Sequence, residues 1–286
     1  MRHWASVLGS HGTHGLRPWR GQGPPPRVAK AARGWGPVVT RADGTARRVF
    51  VALDFVDLEQ ALRCADQLRP TGVRFKVGLE LFCRTGPEGL RTLFPLTGPV
   101  FLDLKLHDIP RTVAGAVRAA AALGVWGLTV HATGGEAMLR AAVAEAAAAD
   151  RPPRCLAVTA LTSLDQAALA AVGVQKPLRT HVSALTQLAL TAGCDGVVAS
   201  PEEAAVVRSV GGPSFLVVTP GVRPLGSAAG DQARVATPAA AMAAGADYLV
   251  IGRPVTTAAD PLAVLRAVLS ELDQVRGEAG PLPARM

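Results

Sequence analysis

Asp103, Lys105 and Asp108 fall within one short stretch, Phe101 to Thr112, which reads FLDLKLHDIPRT. Val100, Phe101, Leu102, Leu104 and Leu106 form an apolar run with charges at alternate positions, a strand pattern, and Pro110, lacking an N–H, marks where pairing must end. Asp103 and Lys105 therefore share one face of the strand, and Asp108 follows just past its C-terminal end. Unlike charges held this close keep one another ionised. A lone DxK would be no more than a salt bridge near a strand end. Other strand ends add to the array.

Lys76, in FKVG, sits in an otherwise apolar context where an unpaired ammonium is costly, and Asp103 on the neighbouring strand can supply its acid. Asp54 ends VALD on the parity of Phe50 and Ala52, where a carboxylate can accept hydrogen bonds from sugar hydroxyls, while Asp57 is better placed to cap the following helix. VTPGVRP (Val218 to Pro224) and VIGRPV (Val250 to Val255) each put a glycine and an arginine just past a strand. Phosphate binding needs that combination, close backbone N–H groups plus a guanidinium fork, so Arg223 and Arg253 should converge. Gln232 in GDQARVATP can reach phosphate or pyrimidine, and Thr237-Pro238 opens a helix. Thr159, Thr162 and Ser163 in TALTS offer hydroxyls to the polar edge of a ligand or to a helix cap. His131, in VHATGG, is isolated from other His, Cys or acid clusters and reads as structural; His181 carries no signal.

The elements that must position these groups repeat regularly from Arg48 onward. Strands are expected at Val49–Asp54, Val73–Gly78, Val100–Lys105, Gly127–His131, Cys155–Thr159, Gly196–Ala199, Phe215–Thr219 and Tyr248–Ile251. Helical stretches intervene, among them Leu58–Leu68, Val113–Leu123, Glu136–Ala148, Ser183–Ala192, Pro201–Val210 and Pro238–Ala244, with Pro261–Val275 closing the series. Strand and helix in alternation predict an α/β protein with a single domain, a (β/α)8 TIM barrel over residues 46–274 followed by a tail, 275–286. Such a barrel places catalytic groups at the C-terminal ends of its strands and a phosphate site after strands seven and eight.

Composition narrows the classes. Of the formal charge of +8, residues 1–45 contribute +6, with seven Lys/Arg against the single acid Asp43. A basic groove is therefore not indicated in the folded part, and 4% aromatic residues offer little for bases to stack on. Residues 1–45, rich in Gly, Pro and Arg, read as a disordered basic extension or as sequence upstream of the true start; the prolines and glycines disfavour a targeting peptide. Cys64, Cys83, Cys155 and Cys194 lie far apart without metal-ligand spacing and are expected to be reduced core residues. No apolar run approaches the roughly 20 residues of a membrane span, so a soluble, cytoplasmic protein is expected.

DxKxxD followed by Ile-Pro closely resembles the signature of the bacterial type of orotidine 5′-monophosphate decarboxylase. LD, FKVG, DLKLHDIPRT, VHATGG, LTS, PGVRP, GDQ and VIGRPV also occur in that family's order over residues 46 to about 274. The resemblance implies conversion of orotidine 5′-monophosphate to UMP and CO2 with no cofactor and no metal, and with Lys105 as proton donor to C6. It implies a catalytic array of Lys76, Asp103, Lys105 and Asp108, the last supplied by the second subunit of a homodimer. Asp54 and Lys76 would contact the ribose region, Thr162 and Ser163 the pyrimidine, and Arg223, Gln232, Gly252 and Arg253 the phosphate; Ile109 and Thr112 join the substrate-binding set. Related phosphosugar enzymes on similar barrels use a divalent metal with an acid where this chain has Lys76, whose charge disfavours a metal. A non-catalytic phosphoribosyl sensor would have no need of Lys105.

Overall fold

The computed structural model of the protein describes residues 44–224 and 236–278. Its strands are β1 (Val49–Ala52), β2 (Arg74–Gly78), β3 (Phe101–Leu106), β4 (Gly127–His131), β5 (Arg154–Val158), β6 (Gly196–Val198), β7 (Leu216–Thr219) and β8 (Tyr248–Ile251). All pair in parallel and in chain order, and β8 closes on β1, so the sheet is a barrel with no free edge. This is the TIM barrel expected from the sequence, with strand bounds shifted by no more than two residues.

Helices α1 (Leu58–Leu68), α2 (Leu79–Thr97), α3 (Pro110–Ala122), α4 (Gly135–Ala147), α5 (Gln166–Ala171) and α6 (Leu178–Ala192) cover the first half. The second half carries α7 (Ala204–Gly211), α8 (Pro238–Ala243), α9 (Arg253–Thr256) and α10 (Pro261–Glu278). The expected helix Pro201–Val210 resolves into a 3-10 turn, Pro201–Glu203, followed by α7. Helix α2, for which no helical stretch was named, is kinked at Gly86, whose φ of 60° only glycine adopts cheaply, and Pro87 follows at once. That break hides its period. Asp57 caps α1 by accepting from the Glu59 N–H at 3.0 Å, and Thr237 caps α8 by accepting from the Ala240 N–H at 3.1 Å.

Strand parity divides the core in two. Phe50, Ala52, Phe101, Leu156, Val158, Leu216, Val218, Tyr248 and Val250 fill the barrel, while the alternate residues, such as Val49, Val51, Val77, Leu128 and Val217, pack against the helices. At the N-terminal end the interior is sealed by Trp126, whose ring lies 4.8 Å from Phe50, 5.1 Å from Tyr248 and 5.7 Å from Phe101. The Arg154 guanidinium stacks 4.8 Å over the same indole. Aromatic rings and stacked arginines therefore plug one end of the barrel, and the lysine and carboxylate side chains of its interior gather at the other.

Thr45 is buried and its hydroxyl donates to Asp273 of α10, so packing reaches one residue before 46, and α10 runs on to Glu278. The rest of the expected extension and tail, 1–43 and 279–286, lies outside the described residues. Cys64, Cys155 and Cys194 are buried free thiols, and burial pushes Cys64 up to about 11; Cys83, on α2, is exposed, contrary to the expectation of a core residue. Among the described residues no helix is long and apolar enough to cross a membrane.

The plug is expected to set stability rather than activity. Trp126→Ala should destabilise the protein by about 3–5 kcal/mol, measured by urea unfolding, while the folded fraction keeps its ligand affinity.

Candidate active site

The C-terminal mouth of the barrel opens on a cavity of about 460 Å³, within the range of small-ligand pockets. Its floor is Ala52, Phe101, Val158, Val198 and Val250, and its walls carry Asp54, Lys76, Glu80, Asp103, Lys105, Thr162, Arg223, Gly252 and Arg253. The inward parity of β1, β2 and β3 delivers the first charged groups. Lys76, 6% exposed, sets its ammonium 2.9 Å from Asp54 Oδ1 and 3.6 Å from Asp103 Oδ2. Lys105 Nζ donates to the same Asp103 Oδ2 at 2.8 Å. Asp103 is thus the acid expected for Lys76, but Asp54 lies closer and shares the task.

Burial works to raise the Asp103 pKa, yet the Lys76 and Lys105 ammonium groups and hydrogen bonds from Lys105 and Thr129 outweigh it, holding the carboxyl below its usual range. Gly78 makes room for the network: a Cβ there would fall 2.6 Å from Asp54 Oδ1 and 2.9 Å from Lys76 Nζ. Strand β3 is irregular at the critical point. Its pairing with β4 runs from Leu102↔Leu128 to Leu106↔Val130, so β3 advances by four residues while β4 advances by two. Within this bulge Lys105 has φ 51°, the left-handed region that a lysine rarely occupies. Its N–H bonds not to a strand carbonyl but to the Thr129 hydroxyl, at 2.8 Å.

The far side of the cavity is built from the loops after β7 and β8. Gly221, at φ 80°, turns the chain so that Arg223 reaches the wall, and the Arg223 N–H bonds Ala236 O at 3.0 Å where the chain returns. Arg253 opens α9 directly after Gly252. Both arginines line the same cavity, and burial first, then the charge of Arg253, lower the Arg223 pKa. Gln232 lies outside the described residues.

Other expected site residues divide. Thr162 lines the cavity, whereas Ser163 is exposed and off the wall, and Thr159 is spent on the Val198 carbonyl, to which its hydroxyl donates at 3.1 Å. Asp108, Ile109 and Thr112 are exposed on the loop and first turn beyond β3 and do not line this chain's cavity; Asp108 accepts the Ile109 N–H at 2.6 Å. His131 is not isolated: its ring lies 5.4 Å from that of His107, and burial, His107 and Lys105 lower its pKa, partly offset by Asp103. Sequence reasoning missed Thr129 and Glu80. Glu80 was detectable as the first acid after FKVG, whereas a threonine inside an apolar strand gives no signal. Among the described residues there is no cluster of His, Cys, Asp and Glu able to hold a metal ion.

A closed parallel barrel whose strand ends converge on a lysine–carboxylate array, with arginines after strands seven and eight, defines an enzyme of the (β/α)8 class. A family model described as Orotidine 5′-phosphate decarboxylase / HUMPS family matches residues 47–268. A protein of Dichelobacter nodosus named orotidine 5′-phosphate decarboxylase is 53% identical over 224 residues, 78% of this chain and 98% of the relative. One of the same name from Thermobifida fusca is 54% identical over 232 residues, 80% of this chain and 97% of the relative. The crystal structure of orotidine 5′-phosphate decarboxylase from Lactobacillus acidophilus superposes with a TM-score of 0.71 at 38% identity, covering 79% of this chain and 99% of that one. The chain belongs to the orotidine 5′-phosphate decarboxylase / HUMPS family and is a carboxy-lyase.

A carboxyl held below its usual pKa stabilises the fold fully above the ordinary carboxylate pKa and loses that contribution as pH falls through its own. The stability gap between wild type and Asp103→Asn should therefore be widest at neutral pH and narrow below about pH 4. Urea melts across that window read it, and a gap independent of pH would show that folding does not hold Asp103 ionised.

Proposed function

We propose that the protein decarboxylates orotidine 5′-monophosphate to UMP, completing UMP biosynthesis, with Lys105 as proton donor and without a cofactor. The observation that carries this reading is the Asp103 carboxylate with Lys105 at 2.8 Å and Lys76 at 3.6 Å on one oxygen, at the mouth of a family barrel. Loss of CO2 breaks the bond at C6 and leaves its electron pair in the ring plane, where the π-system cannot delocalise it. Stabilisation must then be local and electrostatic. The Lys105 ammonium stabilises that pair and transfers a proton to C6, and the amine is reprotonated from solvent. Asp103 orients Lys105 and faces the departing carboxylate.

The remaining contacts distribute over the cavity. Asp54 and Lys76 meet the ribose and Thr162 the pyrimidine, while Arg223, Gly252 and Arg253 hold the phosphate, joined by Gln232. Phosphate contacts remote from C6 contribute to turnover by ordering the site. Asp108 completes the array of a second subunit in a homodimer, with Ile109 and Thr112 beside it; their exposure and their distance from this chain's own cavity wall support that arrangement. The buried free thiols suit a cytoplasmic setting, and the family match at 47–268 supports a catalytic domain preceded by an extension that ends before the buried Thr45.

Purified protein incubated with orotidine monophosphate and EDTA should show the ultraviolet change of UMP formation, and Lys105→Ala should lower turnover by several orders of magnitude while UMP still binds. Activity that disappears with EDTA and returns with Mg²⁺ would refute the cofactor-free mechanism. Lys105→Ala and Asp108→Ala homodimers should both be nearly inactive, but refolded mixtures should regain activity because a mixed dimer places both lesions in one site. Absence of recovery at every mixing ratio would place Asp108 in its own chain's site.

A further inference from the structure

Asp103 still pairs with Gly78 of β2, but toward β4 the ladder is broken from Asp103 to Lys105, so backbone pairing does not fix the proton donor relative to the acid. We infer that Thr129 is a positioning residue for the proposed decarboxylation: its hydroxyl bridges the Lys105 backbone and the Asp103 carboxylate and sets the geometry between them. The bridge has two arms. Thr129 Oγ1 accepts the Lys105 N–H at 2.8 Å and donates its own proton to Asp103 Oδ1 at 3.0 Å.

The division of the carboxylate explains what the bridge accomplishes. Both ammonium groups lie on Oδ2 of Asp103, and Thr129 occupies Oδ1. With a donor on each of its two oxygens, the carboxylate cannot tilt about its last torsion without straining both contacts. The other arm ties down a lysine whose φ of 51° is unfavourable and which no ladder carbonyl restrains. Thr129 itself is rigid. It is fully buried on β4, and a β-branched side chain on a strand has few rotamers.

Packing alone does not explain a hydroxyl at this position. Strands β5, β6 and β7 fill their inward positions with Leu156, Val158, Val198 and Val218, and a valine has the shape of threonine without its donor and acceptor. The charged groups around Asp103 are Lys76 from β2 and Lys105 from its own strand, with Asp54 reaching Lys76 from β1 and His131 at the end of β4. All of them remain in a Thr129 variant, so a change in Asp103 titration reports the lost hydroxyl.

The test compares Thr129→Val with Thr129→Ser and rests on the decarboxylase reading for its kinetic arm only. Thr129→Val should lower kcat about ten- to a hundredfold while KM and UMP affinity hold, and Thr129→Ser should stay close to wild type. Carbon-13 NMR titration of the Asp103 carboxyl, assigned with Asp103→Asn, should move upward in Thr129→Val and not in Thr129→Ser. Wild-type kcat with an unmoved titration in Thr129→Val, equal impairment in both variants, or a parallel loss of UMP affinity would overturn the inference. Should Thr129→Val not fold, Thr129→Ala removes the same hydroxyl with less bulk and is read in the same way. A wild-type protein that leaves orotidine monophosphate unchanged refutes the function, and the NMR titration then decides the positioning role by itself.

Discussion

One buried carboxylate between two ammonium groups governs the architecture of the mouth. Each of these charges would be costly to withdraw from water alone. Together they are tolerated because Asp103 serves Lys76 and Lys105 at once, and Asp54 takes up the remaining attraction of Lys76. The register sets Lys76 level with Ala52 and Phe101 and Asp103 level with Gly78, so the lysine reaches toward the strand ends to meet Asp54 and Asp103. A glycine at residue 78 is required as well, since any side chain there would fill the space the ion network occupies.

The barrel divides its duties along its axis. At the N-terminal end aromatic rings and a stacked arginine exclude water and hold the strands together. At the C-terminal end the interior widens into a charged cavity, so the strand residues that bind and react are separated from those that stabilise. The loops after β7 and β8 add cationic groups, those of β7 across the ring from β3, giving the cavity a polarity along which an elongated, anionic ligand can lie in one direction.

Much of this was legible in the sequence because parity and strand ends are local properties. FLDLKLHDIPRT announced a strand with charges on its inner face, and PGVRP and VIGRPV announced cationic turns after the last strands. Residues whose role depends on a distant neighbour were not legible. Thr129 acquires its importance only because β3 bulges opposite it, and His131 gains His107 only when the loop after β3 folds across β4. Helix α2 was concealed by a kink at Gly86 and Pro87 that interrupts its period. Ser163 and Thr162 are adjacent and alike in chemistry, and only the path of the loop after β5 decides that Thr162 faces the cavity.

The left-handed backbone at Lys105 places the fold and the chemistry in opposition at a single position. Glycine would occupy that conformation without strain, and its arrival would relieve the chain at the moment it removed the ammonium. Backbone strain alone favours glycine here, whereas the ion pair with Asp103 and the chemistry favour lysine. At residue 105 the backbone and the side chain therefore favour different amino acids, and the strain of the one is offset by the contacts of the other.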